Sequence, residues 1–381
     1  MVISKKSLQF LLVTFVACIP LVNFANPTAD SLQNQTENVI PVAVAHEEAD
    51  PSKEKEFNAT DLINSHIGDS HDFHIADWNG NAISMPLPII LWTNNGLEVF
   101  SSSLFHHDNT GTHEVEVNGQ KFVKHNEIIY YADKFKNLSQ DDKSAFNFEA
   151  RPLNFSITKL VFSMFLSVIV LFLLFTSLAR SYKKNEMAPK GMAGFLEPLV
   201  IFVRDDIAIP NIGEKKYAKF MPYLLTVFFF VWINNLIGLV PFFPFSANLT
   251  GNIYFTFVLA LITFIITILN ANKNYWSHIF SPPVPKALYP IMWPVEIIGM
   301  FTKPFALMIR LFANITAGHI IILSLFSLIY IFETAWISPV SGAFVLFMSF
   351  LEMLVAALQA YVFTLLSALF IGQAVEEHDH H

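Results

Sequence analysis

Long apolar segments separated by short polar ones dominate the C-terminal part of this chain. The apolar runs of membrane-spanning character are residues 160–178, 223–243, 253–269, 290–332 and 343–371. One crossing takes about 20 residues, so the fourth run either bends back as a hairpin or forms one steeply tilted helix. The pattern therefore predicts an all-α polytopic membrane protein with five to six membrane helices, including a long tilted or hairpin pair.

A different pattern precedes these runs, with short apolar and aromatic stretches broken by turn signals. In PLPIILWTNNGLEVF and THEVEVNGQKFVKH, the pairs Asn95-Gly96 and Asn118-Gly119 separate the apolar stretches. Asn-Gly between alternating residues is a hairpin signal. This predicts a small β-rich extramembrane module over residues 66–150.

The start of the chain has the form of a secretory signal peptide over residues 1–25, because two lysines precede a continuous apolar core. Residues 26–65 are polar and acidic with few aromatic side chains, as in a disordered linker. The membrane domain is then expected over residues 151–377, and residues 378–381 form a short polar tail.

A basic cluster at Arg180, Lys183 and Lys184 directly follows the first membrane run. The positive-inside rule places that end in the cytoplasm, so the β-rich module is expected in the periplasm. Strict alternation of the runs then places the C-terminus in the cytoplasm. We therefore expect a multi-pass protein of the cell inner membrane. Residues 194–213, between the first two runs, are amphipathic and are expected at the membrane interface.

The composition agrees with a membrane protein, since 53% of the 381 residues are hydrophobic and only 14% are charged. Soluble domains carry about 25% charged residues. The net charge of −8 does not favour a nucleic-acid partner. There is no GxxxxGK[ST] run, so the chain has no Walker-type nucleotide site of its own.

Polar side chains interrupt the fourth membrane run. At 100° per residue, Arg310 and Asn314 share one helix face, whereas His319 lies on the opposite side. Lys303 and Glu296 precede Arg310 at steps of seven residues and extend its polar stripe. A charge at the centre of a bilayer costs about 2.5–3.5 kcal/mol on insertion scales, so such residues usually have a function.

The last membrane run places Glu352 and Gln359 on one face, because they are seven residues apart. Two structural explanations stay open: Arg310 snorkels to an interface, or Glu352 and Gln359 only bond neighbouring helices. Asn234 and Asn235 fit either packing or a wet channel lining. A permanent cation together with titratable groups on other faces favours the movement of protons.

These residues carry a family resemblance. EIIGMFTKPFALMIRLFANITAGH, followed by LEMLVAALQAYVFTLLSALF, closely resembles the membrane-embedded subunit a of F-type ATP synthases. The similarity extends upstream through YLLTVFFFVWINNLIGLVPFF and covers roughly residues 155–377. The pairing of RLxANxTAGH with LQAYVF is highly specific. The first 150 residues carry none of these motifs and resemble a lineage-specific extension.

The resemblance implies that Arg310 is the essential arginine facing a rotating c-ring, between two aqueous half-channels. The residues that it implies for proton translocation are Arg310, Glu352, His319, Gln359, Asn314 and Glu296, with Lys303 and Asn235 in support. Many bacterial relatives have a carboxylate where this chain has His319. Because Glu352 holds the partner position, the pair is kept as histidine plus acid, which leaves its working pKa open.

The implied function is that of a proton-conducting, non-catalytic stator subunit of a rotary F-type ATP synthase. Its partners would be the c-ring subunits, b-type peripheral stalk subunits, the rest of the complex, protons and membrane lipid. No cofactor, metal or nucleic acid is expected. The alternatives are a self-contained proton-coupled transporter, although no internal repeat is found, and a metal-sensing receptor, which would leave Arg310 and Gln359 unexplained.

Histidines are frequent in the β-rich module. They are His66, His71, His74, His106, His107, His113 and His125. Their spacing is not a zinc pattern and no cysteine assists, so we interpret them as surface polar residues. A sharper hypothesis is that the module lies over the outer half-channel and buffers or guides protons.

Overall fold

The structure is a computed structural model, and it describes most of the chain after the first 67 residues. The described ranges are 68–78, 81–138, 149–184, 191–240, 247–280, 285, 288–332 and 337–376. The predicted signal peptide, the predicted linker and the predicted C-terminal tail lie outside the described residues.

The N-terminal module consists of short antiparallel strands. They are β1 (Asp72–Trp78), β2 (Asn81–Pro86), β3 (Pro88–Thr93), β4 (Gly96–Ser101), β5 (Val115–Val117), β6 (Gln120–His125), β7 (Ile128–Tyr131) and β8 (Leu153–Asn154), with a short helix α1 (Ala132–Phe135) after β7. They form the sheets β1-β2, β4-β3-β8 and β5-β6-β7. The β-rich character predicted for this part of the chain is confirmed.

Both predicted hairpins are present, β3–β4 and β5–β6. Asn118 and Gly119 have φ of 48° and 78°, the left-handed conformations that a tight hairpin turn needs. Ile89 and Leu91 of β3 alternate with more exposed neighbours and are fully buried. β8 lies beyond residue 150, where the sequence placed the end of the module.

The membrane domain is helical. Its elements are α2 (Lys159–Lys184), α3 (Met192–Phe202), α4 (Ile209–Ile212), α5 (Tyr217–Leu239), α6 (Ile253–Leu269), α7 (Lys273–Phe280), α8 (Tyr289–Phe332) and α9 (Ile337–Val375). Four of them, α2, α5, α8 and α9, are long and apolar enough to cross a membrane, and α6 with α7 forms a fifth candidate bent by 102°. The predicted polytopic helical fold is confirmed.

The fourth apolar run is one continuous helix of 44 residues, α8. At 1.5 Å per residue it is roughly 66 Å long, about twice the thickness of a hydrocarbon core. The hairpin alternative is therefore wrong, because no break in the helix separates two crossings. Pro294 and Pro304 lie inside α8.

Close backbone contacts hold the ends of these helices together. A Cβ built on Gly372 of α9 would lie 1.9 Å from the carbonyl oxygen of Asn211, so only glycine permits this approach. The Val375 carbonyl accepts hydrogen bonds from Lys216 Nζ at 2.7 Å and from Asn272 Nδ2 at 2.8 Å. The end of α9 thus lies beside the start of α5 and the α6–α7 bend.

Hydrogen bonds and a ring contact join the β-rich module directly to the start of α2. The backbone N–H of Phe155 donates to Ile90 O at 2.8 Å, so strand-like pairing continues past β8 toward the helix. At the start of α2, the N–H of Leu160 donates to Asp69 Oδ1 at 3.1 Å. Burial raises the pKa of this carboxyl. The Phe73 and Phe162 rings pack edge to face with centroids 5.9 Å apart.

Candidate functional site

Arg310 and Asn314 lie one turn apart on the same exposed face of α8, as the helical spacing predicts. Exposed apolar side chains flank them, among them Ile321, which at 100° per residue points within about 20° of Arg310 and is 44% exposed. Within the described part of the chain, Arg310 makes no hydrogen bond or ion pair. A fixed positive charge therefore projects from an apolar surface that the chain itself leaves uncovered.

His319 projects from the other side of α8 and contacts Glu352 of α9 through its Nδ1 and the carboxylate Oε1. Glu352 is 4% exposed. The second ring nitrogen of His319, Nε2, lies 3.2 Å from the carbonyl oxygen of Gly238 at the end of α5. Three membrane helices thus meet at this pair.

The partners of this pair fix how many protons it holds. A carbonyl oxygen can only accept a hydrogen bond, so Nε2 of His319 must carry a hydrogen. The contact between Nδ1 and the Glu352 carboxylate then requires one proton, which lies on the imidazole or on the carboxyl group. The shared proton can therefore shift between the imidazole and the carboxyl group without changing the geometry of the pair.

Gly318 permits the contact between His319 and Glu352, a role that the sequence analysis did not predict. A Cβ at this position would lie 2.9 Å from Glu352 Oε1, which is closer than real Cβ atoms approach. Gly318 therefore leaves the space that the carboxylate occupies. Its signal in the sequence is its place in the RLxANxTAGH motif, directly before His319.

Asn235 connects three elements beside the pair. Its Nδ2 donates to Ala356 O of α9 at 3.2 Å, and its Oδ1 accepts from Thr250 Oγ1 at 2.6 Å. Its side chain is buried and both polar atoms are hydrogen-bonded, which favours the packing explanation over a channel lining for this residue. Asn234 Nδ2 donates within α5 to Phe230 O at 2.8 Å.

Several polar atoms near this junction are buried without a hydrogen-bond partner among the described residues. They include Glu352 Oε2, Asn234 Oδ1 and Asn248 Nδ2. Asn248 packs beside Gly238, where a Cβ would lie 3.4 Å from its Cα. Buried polar groups of this kind are normally satisfied by internal water. The surroundings of Glu352 are therefore polar enough to hold water.

Gln359 is not brought to the surface that Arg310 occupies. It lies on the same face of α9 as Glu352, as its spacing predicts, but it is 4% exposed. Within the described residues it makes no hydrogen bond to Arg310. The helical period gave the face of α9 correctly, whereas it could not give the direction in which that face points.

Lys303 and Glu296 lie toward the start of α8, away from His319. Lys303 Nζ donates to Gln373 Oε1 at 2.8 Å and lies over the Phe370 ring, so it ties α8 to the end of α9. Glu296 Oε1 lies 4.0 Å from Nδ1 of His278 on α7. The residues selected from the sequence thus form three separate groups along α8 rather than one cluster.

The histidines of the module have different environments. His71 is buried and bonded to Glu127, whereas the His107 side chain is about half exposed and lies 3.7 Å from Asp72 Oδ2. His66 lies outside the described residues. Over the described ranges, no group of three or more histidine, cysteine or acidic side chains has the proximity to hold a metal.

Two family profiles match the chain. That of the ATP synthase A chain matches residues 161–372, which is more than half of the chain, and a domain of unknown function (DUF8433) matches residues 62–155. The second match covers the β-rich module and carries no assigned activity.

Curated relatives are similar over the membrane domain. The ATP synthase subunit a of Chloroherpeton thalassium is 50% identical over 238 residues, which are 61% of this chain and 70% of that protein. The ATP synthase subunit a 2 of Chlorobaculum tepidum is 48% identical over 241 residues, covering 61% and 67% of the two chains. The ATP synthase subunit a of an Anaeromyxobacter species is 45% identical over 231 residues, covering 58% and 55%.

Proposed function

This chain belongs to the ATP synthase A chain family, and from that premise we propose that it forms two proton half-channels against a c-ring, with Arg310 as the charge that separates them. Membership of this family supports the conclusion that the chain is a membrane subunit of the F-type ATP synthase and takes part in proton translocation. The roles of individual residues, the partners and the orientation are the proposal.

The observation that carries this proposal is the exposed Arg310 on an otherwise apolar surface. Facing lipid, a guanidinium at this depth would cost several kcal/mol. Facing a partner helix that carries a carboxylate, it would gain an ion pair in a low-dielectric setting. A ring of c subunits, each with one membrane carboxylate, is a partner of that chemistry.

The exposed apolar side chains of α8 and α9 support such a partner. On α8 they include Ile309 and Ile321, and on α9 they include Leu351, Leu354 and Leu358. Because α8 carries Arg310 and Asn314 and α9 packs against α8, one rotor surface would cover this part of both helices. Asn314 would then lie beside the passing carboxylates, and buried Gln359 would support the helix behind this surface.

Arginine suits the separating role because its guanidinium stays charged, whereas a buried lysine can lose its proton. A c-ring carboxylate that arrives protonated gives up its proton and pairs with Arg310. Direct passage between the half-channels is blocked, since a proton would have to replace a fixed cation. Each elementary charge moved through 100 mV supplies about 2.3 kcal/mol. The ring must therefore transport several protons for each ATP that is made.

The two half-channels are assigned to opposite ends of α8. Residue 319 is nine positions after residue 310, and residue 296 is fourteen before it, which correspond to about 14 Å and 21 Å along the axis. His319 and Glu352 would serve the periplasmic half-channel, and Glu296 the cytoplasmic one. Lys303 and Asn235 would hold the helices in place.

The orientation follows from the basic cluster at the end of α2. With that end in the cytoplasm, the module and the His319–Glu352 pair lie on the periplasmic side. The ends of α6 and α9 then lie with α7 in the cytoplasm. The whole assembly would require c-ring and b-type stalk subunits as partners in the inner membrane.

The experiment that tests this proposal combines purification with proton transport for Arg310→Ala. The variant is expected to co-purify with the c-ring and stalk subunits while ATP-driven pumping into inverted vesicles is abolished. Passive proton leak should rise, because the separating charge is gone. Normal pumping by an assembled Arg310→Ala complex would overturn the role of Arg310, and a wild-type chain that purifies without a c-ring would overturn the assembly.

A further inference from the structure

Helix α7 lies against the start of α8 because of the 102° bend that follows α6. The indole N–H of Trp293 on α8 donates to Phe280 O at the end of α7, at 2.9 Å. The rings of these two residues also pack edge to face, with centroids 6.1 Å apart. The short helix is therefore fixed to α8 at one defined register.

That register places His278 beside Glu296. Nδ1 of His278 lies 4.0 Å from Glu296 Oε1, and the two side chains are 60% and 28% exposed. The gap exceeds a direct hydrogen bond, and one bridging water or a small rotation of the imidazole closes it. The imidazole is thus beside the carboxylate and more exposed to solvent than the carboxylate is.

Two other titratable groups face Glu296. Tyr275 of α7 and Lys303 of α8 both interact electrostatically with its carboxylate. Lys303 is bonded to Gln373, and a tyrosine hydroxyl does not exchange its proton readily near neutral pH. Among the described residues around Glu296, His278 supplies an imidazole, the type of side chain that commonly exchanges protons near physiological pH.

We propose that His278 is a proton-relay residue, which passes protons between cytoplasmic water and Glu296. This rests on the proposed function, and it adds a residue that the sequence motifs do not contain. When a proton leaves Glu296 for the cytoplasm, the Glu296 carboxyl group transfers it to Nδ1 of the neutral imidazole. The imidazolium then loses the proton from Nε2 to water or buffer, and exchange with water restores the first tautomer.

The chemical reason for such a relay is the scarcity of free protons near neutral pH. A carboxylate that must be loaded from water alone waits for rare hydronium ions, whereas an imidazole is partly protonated under these conditions. Glu296 is also positioned to pass a proton from this imidazole toward the helix face of Arg310. From residue 296 to residue 310 the helix turns through fourteen steps of 100°, which returns it to within about 40° of the Arg310 face.

The test is the rate of ATP hydrolysis by the intact complex in inverted vesicles with an uncoupler, measured from about pH 6 to pH 9 around the imidazole range. His278→Gln should be close to wild type at the acid end. It should fall by about threefold at the alkaline end, less than general acid–base groups give in closed sites because water competes here. Added imidazole, which reaches the exposed cytoplasmic face directly, should restore the rate.

Asn274→Ala is the matched control, because Asn274 is an exposed residue one turn earlier on α7. It should leave the profile unchanged. A His278→Gln profile that overlays the wild type, or a loss that imidazole does not restore, would overturn the relay. If the Arg310→Ala complex is inactive in pumping while His278→Gln is normal, only the relay fails and the proposed function stands.

Discussion

Two partly buried histidine–glutamate pairs, one in the module and one in the membrane domain, have the same chemistry and different surroundings. In the module, His71 Nδ1 lies 3.2 Å from Glu127 Oε2, which also accepts the backbone N–H of His71 at 3.0 Å. Lys124 Nζ donates to the other carboxylate oxygen at 3.3 Å. Every oxygen of this carboxylate therefore has a partner.

The membrane pair is only half satisfied. Glu352 Oε1 contacts His319, whereas Glu352 Oε2 is buried without a hydrogen-bond partner among the described residues. A saturated buried carboxylate is held in one protonation state and stabilises the fold. A buried carboxylate oxygen without a partner favours the protonated form of the group, so this carboxyl group is less strictly held in its ionised form. The partners of each carboxylate, rather than the residue pair itself, therefore distinguish the structural pair of the module from the pair proposed for transport.

The largest expected effect comes from removing the membrane acid. Glu352→Gln should lower ATP-driven proton pumping by more than tenfold, as expected when a general acid–base group is lost, because no other described acid contacts His319. The complex should still assemble, since glutamine keeps the shape. Pumping is measured as acidification of inverted vesicles at equal amounts of purified complex.

The module acid is the matched control for that experiment. Glu127→Gln removes the same carboxylate chemistry from a saturated pair, so its pumping should equal that of the wild type. Equal losses for both variants would contradict the distinction drawn between the pairs.

A smaller effect is expected when the membrane pair is displaced rather than removed. Gly318→Ala would place a methyl group 2.9 Å from Glu352 Oε1, so the carboxylate must move away from His319. We expect pumping to fall by about fivefold, within the range for lost proton-transfer geometry.

Gly299→Ala gives the comparison for Gly318→Ala. It lies on the same helix, and its added Cβ would meet nothing within 4 Å. The same vesicle assay should show wild-type pumping for this variant. If both glycine variants lose activity alike, the effect comes from the helix backbone and not from the position of Glu352.

Protonation of Glu127 at low pH is expected to have the smallest effect on proton transport. It should, however, clearly lower the stability of the module. Burial alone raises the pKa of Glu127, but the hydrogen bond from His71 and the charge of Lys124 outweigh it and lower the pKa to about 2. The free energy of unfolding thus gains on the order of 3 kcal/mol. This contribution is fully present above about pH 4.5 and is lost as the pH falls toward 2.

Backbone hydrogen exchange of β6 and β7 in the purified complex measures this contribution. Glu127→Gln should speed exchange at neutral pH, and the difference from wild type should shrink as the pH approaches the folded pKa. A difference that stays constant over this range would mean that the charge of Glu127 is not what stabilises the module.

The sequence predicted the elements well because local patterns specify them. Both Asn-Gly hairpins, the helical membrane runs and the shared face of Arg310 and Asn314 follow from periods of two or 3.6 residues. Prediction from the sequence was less successful where segments far apart in the chain contact each other. The pairing of β8 with β3 and the approach of Gly318 to Glu352 depend on packing between segments far apart in sequence, and no local pattern encodes them.

The site was predicted in the same uneven way. The family motifs selected His319 and Glu352, and the structure brings them into contact. The burial of Gln359 depends on the direction of α9 within the bundle, which a single helix period cannot supply. The contact between His278 and Glu296 could not be predicted from helical spacing, because the two residues lie on different helices.

The most direct test of the central claim is ATP-driven acidification of inverted vesicles containing the Arg310→Lys complex. Lysine keeps a positive charge but lacks the planar guanidinium, and it can lose its proton beside a rotor carboxylate. We predict that the complex assembles with its c-ring and does not pump. Pumping at the wild-type rate would contradict the account, because it would show that the charge on α8 has only a structural role.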